Sequence, residues 1–246
     1  MSVQPVIPAI PEFPLRFQTQ LWHEQLRNHL QGILINAIAV IGLAVVLRNA
    51  RVPWIASWAT VALALCALRV LLHLACQRYV ARHPDAAPPT AQRVLLAAGL
   101  LTSATLWALV AGLGLPVFSV SEQFTVLIIL SALAGGSTGT LASMPIAGKV
   151  YVAIVLVPCC TRLLLLDDEK LNVLGWIGLL FTLVMFNGHN NNYRVLRTTL
   201  ALTGDKEELI RQLSEKNRQI SQVNDDLEKP SRHARRSWST APTTIR

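Results

Sequence analysis

Residues 171–229 read LNVLGWIGLLFTLVMFNGHNNNYRVLRTTLALTGDKEELIRQLSEKNRQISQVNDDLEK, and this stretch decides the fold. It opens as an apolar block, Leu171–Phe186, and turns polar at Gly188, His189 and Asn190 to Asn192. A regular series follows: Leu202, Lys206, Leu209, Leu213, Lys216, Ile220, Val223 and Leu227. The spacings alternate four and three, and six of the eight positions are apolar. That is the a/d seam of a short coiled coil. Asp205, Glu207, Glu208, Arg211, Glu215 and Arg218 lie between the seam residues and form a solvated, mixed-charge surface. Such a helix either packs on its own protein or pairs with a second copy. With nothing else soluble to pack against, a homodimer is the expected arrangement.

Five more apolar blocks lie upstream, roughly Leu30–Leu47, Val52–Ala75, Val94–Phe118, Phe124–Leu141 and Lys149–Leu166. A hydrocarbon core about 30 Å thick takes about 20 helical residues to cross, with about 17 as the short limit, and the first and last of the six blocks lie near that limit. The whole chain of 246 residues is 52% hydrophobic, with a mean hydropathy of +0.42, and only 15% of it is charged. Those values belong to membrane proteins rather than soluble domains.

The formal charge of +8 is not arranged as a nucleic-acid surface. Nucleic-acid binders carry their basic residues in a stripe. Here they sit at the ends of apolar blocks and in the terminal segments, as the positive-inside rule requires of membrane helices. Arg16, Arg27, Arg78, Arg82, Arg93, Lys149, Arg194 and Arg197 fall on one side, eight in all. Arg48, Arg51, Arg162 and Lys170 fall on the other, four in all. Both termini are therefore expected to be cytoplasmic. Residues 1–20 are proline-rich without an apolar signal-peptide region, so insertion is expected to use the first membrane helix. The loops leave no room for a ligand-binding domain outside the membrane.

Few residues carry obvious chemistry. Ala134–Gly139 reads AGGSTG but lacks the Gly-Lys-Ser/Thr ending of a phosphate loop. Gly135 and Gly139 have the small-xxx-small spacing that lets membrane helices approach closely. Arg69 and His73 stand one helical turn apart in the second block. Ionisable residues there are candidates for sensing, although long side chains near a helix end also snorkel to the interface. His189 with its three asparagines reads as a polar interfacial cap. Cys66, Cys76, Cys159 and Cys160 read as small buried hydrophobes. No catalytic carboxylate pair, nucleophile motif, metal site or cofactor site is recognisable.

Six spans, tiny loops and the segment YRVLRTTLALTGDKEELIRQLSEKNRQISQVNDDLEK resemble the N-terminal sensor halves of bacterial signalling proteins. In that class a GGDEF diguanylate cyclase domain or a histidine kinase core follows. Residues 230–246, PSRHARRSWSTAPTTIR, suggest which. If one base is lost near the codon of Lys229, the restored frame permits a string ending in ELEHRANHDPLT. That resembles the start of a GGDEF domain, which commonly reads HDxLTGLxNR. The resemblance implies a truncated diguanylate cyclase, whose restored output domain would use GTP and magnesium to make cyclic di-GMP. None of those catalytic residues is in this chain.

The expected organisation is all-α. It comprises a cytoplasmic segment at 1–29, a six-helix transmembrane sensor at 30–187, a signalling helix at 188–229 and a disordered, out-of-frame tail at 230–246. The dimer seam is Leu202, Leu209, Leu213, Ile220, Val223 and Leu227. Membrane lipid and a second copy are the expected partners, and the bacterial inner membrane is the expected location. A histidine kinase input region and a small transporter are the alternatives. A transporter would be expected to show internal repeats around a midplane site.

Overall fold

The computed structural model describes residues 15–49, 52–83 and 89–239, and the described residues contain helices and turns but no strand. Six helices follow in order: α1 (Leu15–Val46), α2 (Ile55–Arg82), α3 (Thr90–Gly114), α4 (Val120–Thr140), α5 (Pro145–Leu164) and α6 (Glu169–Ser239). Each contains a stretch long and apolar enough to cross a membrane. Helices are what lipid demands, because every backbone N–H and C=O must be paired within its own segment. The chain divides at Arg197 into two units.

In the first unit α1 packs on α2 and α4, α2 on α3, α3 on α5, and α5 on α4, which closes a cycle of five helices. The core inside the cycle includes Leu43, Trp107, Val110, Val126, Leu130, Val152 and Val155, all essentially without exposed surface. Trp58 and Trp107 meet edge to face at 5.2 Å, and the Trp58 indole N–H donates to the Leu106 carbonyl at 2.9 Å. The outward faces are equally apolar: Ile38 is 69% exposed and Ile128 68%. A helix that is apolar all round belongs in a bilayer.

The helix ends use local chemistry. The Ser119 N–H donates to the Glu122 carboxylate at 2.7 Å and opens α4. One Asp168 carboxylate oxygen accepts from the N–H groups of Lys170 and Leu171 at 2.9 and 3.2 Å and opens α6. Pro145 starts α5, where a missing N–H costs nothing. The third block is apolar to Phe118, but α3 ends at Gly114, because the Phe118 ring folds back over the space a Gly114 side chain would take.

The small-residue contacts fall elsewhere than the sequence suggests. A Cβ built on Gly135 or Gly139 meets no atom within 4 Å, so neither glycine brings two helices of this chain together. The close approach is between α5 and α6. A Cβ on Gly175 would lie 3.1 Å from the Cys160 carbonyl, and one on Gly178 would lie 2.5 Å from the Cys160 Sγ.

In the second unit, which begins at Thr198, α6 carries its seam in the open. Leu202, Leu209, Leu213, Ile220 and Val223 are each 57–62% exposed. The side chain of Leu227 lies outside the described residues. On another face Arg211 pairs with Glu208 at 2.8 Å, one turn away. The helix does not stop at Pro230, where the seam pattern breaks, but continues to Ser239, into the segment expected to be disordered. Proline removes one intrahelical hydrogen bond, yet Arg232, Ala234, Arg235 and Arg236 favour helix, and an already nucleated helix propagates easily. Residues 1–14 and 240–246 lie outside the described residues.

Gly175→Ala is expected to destabilise the purified protein by about 1–3 kcal/mol through overpacking against α5. Gly135→Ala, with open space around it, is expected to stabilise by about 0.5–1 kcal/mol. Thermal unfolding of both variants in one detergent checks the contrast.

Candidate functional site

The interior of the five-helix cycle is not uniformly apolar. Polar side chains reach it from every helix: His29 and Asn36 on α1, Arg69 and His73 on α2, Ser103 on α3, Ser137 on α4 and Tyr151 on α5. The helical repeat puts them there. His29 and Asn36 are two turns apart, and Arg69 and His73 are one turn apart, so each pair shares a face. Exposed positions near them include the apolar Leu34, Ile35, Leu71 and Leu74.

One part of this interior is well satisfied. The Asn36 amide oxygen accepts from the Trp107 indole N–H at 2.8 Å and from the Ser103 hydroxyl at 3.2 Å. Tyr151 of α5 lines the same cavity as Asn36. A single amide thus ties α1 and α3 together.

The neighbouring part is not satisfied. Arg69 is 3% exposed, and its Nε and Nη1 find no partner in the protein. His73 is 1% exposed and His29 9%, and both nitrogens of each ring are likewise unpartnered. The two imidazoles stack with centroids 5.8 Å apart. Arg69 does not snorkel, because its aliphatic stem lies against Gly99, where a Cβ would stand 3.2 Å from Cγ. No aspartate or glutamate is buried among the described residues. None of the 14 acidic residues falls within the six apolar blocks. A cavity of about 50 Å³ adjoins this group, lined by His29, Asn36, Arg69, Ser137 and Tyr151. Its outer side is formed by exposed residues of α1 and α4: Ile35, Ala132 and Gly136.

His189 sits at the far wall. Sequence marked it as an interfacial cap, but it is fully buried. Its ring lies directly on Gly148, in the space a side chain there would fill. The Nε2 is 3.4 Å from the Ser137 hydroxyl, whose own proton goes to the Ala134 carbonyl at 2.7 Å. One turn on, the Asn192 amide donates to the Thr138 carbonyl at 3.0 Å. Ser137 therefore touches both the cavity and α6.

Of the four residues singled out in the sequence, the structure brings Arg69 and His73 into one site and leaves Gly135 and Gly139 out of it. The residues sequence reasoning missed are His29, Asn36, Ser137, Tyr151 and the buried role of His189. For Asn36, Ser137 and Tyr151 the available signal was polarity inside an apolar block, which lipid tolerates only where a helix faces protein; His29 and His189 lie just outside the blocks. No family model, curated protein or solved structure matches this chain.

Asn36→Leu leaves the Trp107 and Ser103 donors without their acceptor. It is expected to cost about 1–3 kcal/mol for stranding buried polar groups. Combined with Trp107→Phe, the losses should fall short of the sum, with a coupling of about 0.5–3 kcal/mol. Thermal unfolding of the single and double variants in detergent measures both.

Proposed function

We propose that this chain is the membrane-embedded input region of a bacterial signalling protein, with both termini in the cytoplasm and a GGDEF diguanylate cyclase as its output. The observation that carries the reading is α6. It is one helix from Glu169 to Ser239, which is clamped in the bundle by His189 and further on presents an exposed apolar seam. Water does not favour such a seam. Fully burying a Leu, Ile or Val side chain is worth about 1.5–3 kcal/mol, so a second copy of the helix is its natural cover.

The working parts then follow from geometry. The bundle holds a polar interior beside a cavity, as a receptor for a small stimulus requires. Ser137 and His189 link that interior to α6. A shift of α6 at this clamp becomes a change of register or stability in a paired helix, which is a two-state element. GTP and magnesium belong to the output domain, and this chain needs neither. The out-of-frame reading of residues 230–246 favours a GGDEF output over a histidine kinase.

Two experiments test this reading. Resequencing the locus around codon 229 should give a frame that continues into a GGDEF domain. A frame leading into a histidine kinase phosphoacceptor helix, or no open frame, rejects it. In the restored protein, inserting one residue between Leu213 and Leu227 rotates everything downstream by about 100°. Cyclic di-GMP output should change by roughly 5–150-fold. Inserting seven residues keeps the seam in phase and should retain output. Equal output from both insertions would argue against coupling through the helix.

A further inference from the structure

We infer that the cavity beside Arg69 is a binding site for a single oxyanion group, and that the carboxylate of a membrane-borne amphiphile is the ligand that fits it best. A guanidinium held inside the bundle is a charge removed from water, and such a charge is costly unless it is paired. Arg69 is 3% exposed, with Nε and Nη1 unpartnered. The groups that could neutralise it are missing from its surroundings, since no Asp or Glu is buried among the described residues. Instead His29 and His73 add two more rings with unpartnered nitrogens. All of these are donors or potential donors whose named nitrogens find no acceptor among the described residues. That is an anion site in composition.

Size and shape narrow the ligand. About 50 Å³ of free space lies against Arg69. A water molecule needs about 10–15 Å³ on this measure, so there is room for a carboxylate or a small oxyanion but not for a nucleotide or a sugar phosphate. The planar fork of arginine pairs with a carboxylate or phosphate through two parallel hydrogen bonds. The open side lies between α1 and α4, where Ile35 is 51% exposed and Gly136 carries no side chain. Ile35, Ala132 and Gly136 make the middle of this opening apolar, with Asn28 and Thr140 at its edge; in a bilayer an acyl chain can lie along the apolar part while its headgroup reaches inward.

As the stimulus site of the signalling protein this inference rests on the reading above. Binding itself does not, and the test reads binding alone. The full chain is purified into phosphatidylcholine nanodiscs and titrated with labelled oleate, with oleyl alcohol, acetate and inorganic phosphate as competitors. Oleate should saturate at one per chain, and oleyl alcohol should not displace it. Arg69→Gln should lower oleate affinity at least tenfold. Gly136→Leu, placed where a Cβ has nothing within 4 Å, should block binding while leaving the unfolding midpoint near that of the unmodified chain. Saturable phosphate or acetate binding that is lost in Arg69→Gln, without oleate binding, supports the oxyanion site and assigns it to a water-soluble anion. Unchanged oleate binding in Arg69→Gln, full displacement by oleyl alcohol, or no saturable anion binding would overturn the proposal.

Discussion

Lipid offers no hydrogen bonds, and the organisation of this protein follows from that constraint. Backbone groups must pair within each segment, so the spans are helices. Side chains that need partners must turn inward, so the five-helix cycle encloses Asn36, Arg69, His73, Ser103, Ser137 and Tyr151 and shows leucine, isoleucine and valine to the outside. The interior is thereby divided. Around Asn36 the Trp107 and Ser103 donors share one acceptor, and a single amide ties α1 to α3. Around Arg69 the donors outnumber the acceptors, and a cavity adjoins them. A half-satisfied network is costly when nothing fills it. The same imbalance makes it a place where a small ligand changes the energetics of the whole bundle.

Two side-chain contacts join α4 to α6, Ser137 with His189 and Asn192 with Thr138. Ser137 lines the cavity and stands 3.4 Å from His189, and His189 rests on the bare backbone of Gly148. Gly175 and Gly178 bring α6 close to α5 below this point. The last membrane helix is therefore held by close contacts on two of its neighbours, α4 and α5. Movement of α4 relative to α5 must either carry α6 with it or break the clamp.

Much of the fold was legible in the sequence. The six apolar blocks correspond to the six helices because burial in lipid leaves a signal of length and composition alone. That α6 runs on as a helix beyond the last apolar block was legible too, and the residues with alternating four and three spacing lie exposed along it. The helix end at Gly114 was not, because Phe118 is as apolar as the span it terminates. Gly135 and Gly139 had the spacing for helix contact but not the orientation, and spacing cannot say which face meets a neighbour. Arg69 shows the limit most clearly. Its position near one end of a span suits snorkelling, but it is buried, with its stem against Gly99 of α3, a contact that spacing along α2 does not reveal. His29 lay just outside the first apolar block and His189 just outside the last, so both read as boundary residues. They are buried because α1 and α6 pack on the bundle beyond their most apolar stretches. The helical stretch beyond Pro230 was missed because a proline marks a weak point rather than an end.

The central claim is that α6 meets a second copy along its apolar seam under control of the bundle. Cysteine cross-linking in native membranes tests it most directly, in a chain whose four native cysteines have been replaced. Single cysteines are placed on the seam at Leu209, Leu213 and Ile220, and on the opposite face at Arg211 and Arg218. The account predicts rapid disulfide dimers at the three seam positions, little at the other two, and a changed seam rate when Arg69→Gln is added. Equal cross-linking at all five positions, or none at any, would contradict it.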